Sequence, residues 1–149
     1  MGAWGNGNFQ NDHAGDWLVD LMQSSNKLET IKETINSSLT VKSVLDEDKI
    51  YKALAAIEVV AISLNNPPAD FQELPKKFKK GISKIKVPDS FVPFTKKSLD
   101  VIIDIMYVWY KTEWKPEEMA VEESITIFNQ NYLITLNDLK KRLSSDLDE

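Results

Sequence analysis

The sequence predicts an all-α fold: a single-domain bundle of five to seven helices with an N-terminal glycine-rich loop packed on it. Three observations predict this. Apolar residues recur at three- and four-residue spacing through most of the chain. The periodic runs end at strong helix stops, of which Asn65-Asn66-Pro67-Pro68 is the clearest. With 149 residues, 42% of them apolar, and no cysteine, the chain can bury one core without disulfide staples.

Asn11 or Asp12 can cap the first helix, whose apolar face is Ala14, Trp17, Leu18 and Leu21. Ser24-Ser25-Asn26 breaks it, and Asn26 offers the next cap, ahead of Leu28, Ile31 and Ile35. Asp46 or Asp48 can start a third helix. Its face carries Ile50, Ala53, Leu54, Ile57, Val60, Ala61 and Leu64, and strong helix formers dominate it. Pro75 suits the first turn of a short helix running through Lys80. Gly81 and Pro88 then break the lysine-rich stretch, and the weak alternation of Ile82 to Val87 allows a short extended piece. After Pro93 the spacing predicts a helix from about Thr95 to Tyr110, with Leu99, Ile102, Ile103, Met106 and Tyr110 on one side. Pro116 can begin another, with Glu117 and Glu118 at its positive dipole end. Leu133, Leu136, Leu139 and Leu143 mark the last helix, and Ile125-Thr126-Ile127-Phe128, β-branched at its first three positions, leaves its start open.

Four of the five glycines fall within the first fifteen residues, spaced among Trp4 and Phe9. This block resembles the opening of a bacterial family, domain of unknown function 4259, whose members begin Gly-x-Trp-Gly-x-Gly-x-Phe-x-Asn-Asp-x-Ala-x-Asp. The matching residues are Gly2, Trp4, Gly5, Gly7, Phe9, Asn11, Asp12, Ala14 and Asp16. A weaker likeness runs from Ala53 to Ala61, where members carry an alanine-rich helix with one glutamate, Glu58 in this chain. The resemblance implies a fold and a bacterial origin more than a chemistry. It divides the domain into a family-like half (1–66), a Pro/Lys-rich connector (67–97) and divergent C-terminal helices (98–149).

Charge is unevenly spread around the net −5. Residues 1–48 hold eight acids and three lysines, residues 76–97 eight lysines and one acid, and residues 98–149 eleven acids and five bases. The expectation is an acidic body with one basic segment. No secretory leader pattern follows Met1, Asn6 breaks a myristoylation motif, and Asp104 interrupts the apolar stretch Val101 to Tyr110, far too short for a bilayer. These features and the lack of cysteine point to a cytoplasmic protein without membrane contact.

Candidate sites are few. Asp12, Asp16 and Asp20 stand at i, i+4 and i+8 beside His13, the one histidine. They can anchor a basic partner, hold a divalent cation, or form a solvated stripe that starts at the helix dipole. Metal ligation needs three or four converging ligands, and no second His or Cys cluster supplies them. Asn11-Asp12 reads as a structural cap, and Trp4 and Phe9 as anchors that fold the glycine loop onto the bundle. Glu58 falls at the edge of its helix's apolar face and needs a partner if buried, such as N–H groups of the N-terminal loop or the Trp4 indole. Lys76, Lys77, Lys79, Lys80, Lys84 and Lys86, with Phe78 among them, offer a nucleic-acid reading. The segment has no arginine, however, and the chain only Arg142. Tyr107, Trp109, Tyr110 and Trp114 form a patch too dense for one helix face. No nucleophile–base pair is readable, so neither catalysis nor a cofactor is expected. The leading expectation is a bacterial protein-interaction module, in concrete form an immunity protein that neutralises an antibacterial toxin through Asp12, Asp16, Asp20 and the Tyr107–Trp114 patch. The alternatives are nucleic-acid or regulatory binding through Lys76–Lys86, and a metal-dependent enzyme built on Asp12–Asp20.

Overall fold

The computed structural model describes residues 8–9, 11–41, 46–111 (side chains as far as 105) and 130–144 (side chains from 134). The described residues form an all-α bundle of six α-helices: α1 (Asp12–Gln23), α2 (Lys27–Ser37), α3 (Glu47–Ser63), α4 (Lys76–Ser83), α5 (Phe91–Lys111) and α6 (Gln130–Ser144). Single 3-10 turns at Ser38–Thr40 and Phe71–Glu73 link them, and no strand occurs among the described residues. None of these helices is long and apolar enough to cross a membrane.

The caps fall where the polar breaks are. Asn11 holds an extended backbone (φ −152°, ψ 162°), and its Oδ1 accepts the Ala14 N–H at 2.8 Å, so Asn11 is the cap and Asp12 the first helical residue. Asn26 caps α2 in the same way, accepting the Glu29 N–H at 3.1 Å. Asn11→Ala should lower stability by about 1 kcal/mol, the usual worth of such a cap. Urea unfolding followed by circular dichroism reads it, and an unchanged midpoint would refute it. At the far end of α3, Asn65 takes a left-handed backbone (φ 67°). Its N–H and that of Asn66 then reach back to the Ile62 and Ala61 carbonyls, both at 2.9 Å, closing the helix before the two prolines.

Helix α3 is the axis of the bundle. Its spacing predicts a one-sided apolar face, yet Ile50, Tyr51 and every residue from Ala53 to Ala61 are buried. Helices α1 and α2 pack on one part of its surface, and α4, α5 and α6 on others. The alanines make this possible, because small side chains let neighbours approach from several directions. Trp17, Leu18 and Leu21 of α1, Ile31 and Ile35 of α2, Leu99 and Ile102 of α5, and Leu136, Leu139 and Leu143 of α6 complete the core.

Three boundaries differ from expectation. Gly81 does not end α4, which continues to Ser83, and Ile82 to Val87 form no extended strand. A Cβ at position 81 would meet the Met22 sulfur of α1, so the Met22 side chain packs over this glycine inside the helix. Pro75 precedes α4 as its cap and is not in its first turn. Helix α5 begins at Phe91, ahead of Thr95, with Pro93 in its first turn, where no N–H has an intrahelical acceptor to lose. The helix expected at Pro116 and the segment Ile125–Phe128 lie outside the described residues, as do Trp4 and the glycines at 2, 5 and 7.

Candidate functional site

Two polar constellations stand out against this core. The first is buried. Glu58, 1% exposed, sits in the middle of α3 with both carboxylate oxygens occupied. Arg142 of α6 donates to Oε1 at 2.6 Å and to Oε2 at 2.9 Å, the bidentate fork that a planar guanidinium makes with a carboxylate. The amide of Asn8, in the N-terminal loop, donates to Oε2 at 2.8 Å. Arg142 also donates to Asp138 (2.8 Å) and to the Asn66 carbonyl (3.2 Å), while the Asn66 amide donates to the Arg142 carbonyl at 3.0 Å. The turn that ends α3 therefore also clasps α6. Burial lowers the Arg142 pKa, but the carboxylates of Glu58 and Asp138 outweigh it and hold the guanidinium above its ordinary value. Burial pushes the Glu58 carboxyl up, against the opposing pull of Arg142 and Asn8. All three N–H groups aimed at Glu58 are donors, which is the pattern a carboxylate requires.

Glu58 thus has a partner in the N-terminal loop, as expected of it, but that partner is the Asn8 side chain. It lies fully inside the core and not at the edge of a face. The counterion Arg142 lies far from Glu58 in the chain. The available signal was that the chain holds a single arginine and a glutamate within an apolar run, and each would need the other if buried.

The second constellation lies on the surface. Asp12, Asp16, Val19, Asp20 and Gln23 are all exposed on α1, and helical geometry gathers them within an arc of about 100°. Val19, 41% exposed, is one of two exposed large apolar side chains among the described residues; the other is Ile134. His13 turns toward α3. Its Nδ1–H donates to Asp48 at 2.8 Å, its Nε2 lies 3.9 Å from Glu47, and its ring stacks on Tyr51 at 5.3 Å between centroids. His13 thus makes its polar and ring contacts with α3. Among the described residues no group of three or more His, Asp or Glu side chains could hold a metal ion.

Burial raises the Asp48 pKa, but hydrogen bonds from His13 and Lys52 outweigh it and hold the carboxyl below 3.8. A lowered folded pKa contributes stability above the unfolded value, lost as pH falls through the folded one. Asp48→Asn should therefore destabilise the protein above about pH 4 and make little difference near pH 2, by the ~0.2–1 kcal/mol of an exposed pair. Urea unfolding of both proteins at several pH values tests this, and a difference that grows toward acid would reverse the sign.

The basic segment forms α4, with Lys76, Lys77 and Lys80 exposed on the helix and Lys84 and Lys86 exposed after it. Phe78 is packed against the core and lies under the Lys77 ammonium, 5.2 Å from its ring centroid, so it does not stand out as a base-stacking platform. Tyr107, Trp109 and Tyr110 fall on the last turns of α5, with side chains beyond those described; Trp114 lies outside the described residues altogether.

Phe9 is buried in the core and Asn11 caps α1, two positions of the opening block placed by the structure. The family described as Domain of unknown function (DUF4259) matches this chain over residues 2–128. The chain belongs to this family. The match runs well past the 1–66 half on which the resemblance rested, through the lysine-bearing helix and α5. Within the DUF4259 span lie Asn8, Glu58 and Asn66; Arg142 and Asp138 lie beyond it, on α6. No curated protein and no solved structure matches the chain.

Proposed function

We propose that this protein is a bacterial protein-binding module acting in the cytoplasm, and in its most concrete form an immunity protein that masks a basic antibacterial toxin. One observation carries the reading: Asp12, Asp16 and Asp20 are exposed along one side of α1 and flank the exposed Val19. Carboxylates around an apolar contact suit a partner with lysines or arginines around a complementary apolar surface. Charge steers the encounter, and the desolvated centre supplies affinity. The face rests on a rigid base, because the opposite side of α1 (Ala14, Trp17, Leu18, Leu21) is locked into the core. A binding module of this kind needs no catalytic group. The Tyr107–Trp114 patch is offered as a second contact, on sequence grounds alone.

The test is co-expression with a toxin-like protein encoded next to this gene. The reading expects restored growth and a co-purifying complex, with both lost in the charge-reversed Asp12→Lys/Asp16→Lys/Asp20→Lys variant while its circular dichroism stays helical. Absence of protection, or full protection by that variant, would overturn it. Salt-dependent binding of DNA or RNA by the free protein would instead favour the α4 lysines.

A further inference from the structure

The geometry points to a binding cleft for a small aliphatic carboxylate between the end of α3 and the end of α4, a site independent of the α1 face. The cleft has a volume of about 350 Å³. That falls near the lower end of sites that take small organic molecules, roughly 300–1,000 Å³. Ile62, Pro67, Phe71, Ile82 and Ile85 supply its apolar surface, and Ser63, Asn65, Ser83 and Lys86 its polar surface. Phe71, Ile82 and Ile85 are each more than nine-tenths buried, so the core holds this apolar floor in place. Lys86 and Ser63 are among the lining residues, and among the described residues no acidic side chain lines the cleft. Ser63 Oγ accepts the Val87 N–H at 2.9 Å and keeps its own proton to donate. A cation and a hydroxyl donor beside an apolar floor match a carboxylate on a short acyl chain.

The walls are braced without a ligand. Lys79 of α4 donates to the Gln72 carbonyl at 3.1 Å, tying α4 to the 3-10 turn that carries Phe71. The Val87–Ser63 bond fixes the chain after α4 to the end of α3. The lining consists of helix ends and turns, with no strand edge to pair a peptide backbone, which favours a small acid over a protein segment.

Amide-resolved NMR titration of the full chain with sodium hexanoate tests the site, with 1-hexanol as the uncharged partner probe. Hexanoate should give saturable shifts confined to residues 62–71 and 82–87, with hexanol about tenfold weaker. Lys86→Glu, at an exposed position that leaves the fold intact, should reduce hexanoate to the hexanol level and leave hexanol unchanged. The inference fails if hexanoate gives no saturable shift at millimolar concentration or if hexanol binds as tightly. It also fails if Lys86→Glu has no effect, or if a short peptide ending in a free leucine carboxylate binds more tightly than hexanoate.

Discussion

Arg142→Met should destabilise the protein by about 3–5 kcal/mol, because it strands a buried carboxylate without its cation. Glu58 would retain only the Asn8 amide, in a setting where burial already pushes its pKa above 4.5. Without the guanidinium that push goes unopposed on its main side. A carboxyl whose folded pKa is raised contributes stability below its unfolded pKa that is lost as pH rises through the folded value. The Arg142→Met defect should therefore be largest at neutral pH and shrink toward pH 4.5. A double variant, Glu58→Gln/Arg142→Met, should recover more than half of the loss, since the glutamine carbonyl still accepts from Asn8 and no charge is left buried. Chemical unfolding of the single and double variants across this pH range measures all three effects. A loss under about 1 kcal/mol for the single variant, or one independent of pH, would show that water reaches Glu58.

Trp17→Ala should cost about 3–5 kcal/mol, the range for truncating a buried aromatic. Trp17 is 3% exposed and fills the junction of α1 with the core, and its indole N–H donates to Thr34 Oγ1 at 2.8 Å. Thr34 in turn donates to the Thr30 carbonyl, so the indole ties α1 to α2. Trp17→Phe keeps most of the volume and loses the hydrogen bond, and should cost about 1–2 kcal/mol. The two variants separate packing from polar pairing, and equal losses would mean that the Thr34 bond dominates. Because α1 carries the proposed binding face, Trp17→Ala should also weaken partner binding without altering any exposed acid.

Much of the architecture was legible in local patterns. Asn11 and Asn26 cap helices where a side-chain oxygen followed by an apolar repeat says they should, and Asn65-Asn66-Pro67-Pro68 stops α3. Leu136, Leu139 and Leu143 are buried as their spacing requires. The errors have a common cause. Gly81 reads locally as a breaker and Pro93 as preceding its helix, but one meets Met22 across a helix contact and the other sits in a first turn that needs no N–H. His13 was grouped with acids near it in sequence, whereas its partners Asp48 and Tyr51 come from α3.

By itself the sequence determined the all-α class, most helix ends, the opening DUF4259 block and the segregation of acids from lysines. These depend on propensity, capping and periodicity, which act within a few residues. Only the tertiary structure decided that Glu58 would be buried against Arg142, 84 positions away, with Asn8 and Asn66 completing the clasp. Locally, only a glutamate within an apolar run shows, and nothing beside it names its partner. A buried charge must find its counterion wherever the packing of helices brings one, and here α6 carries it across the end of α3.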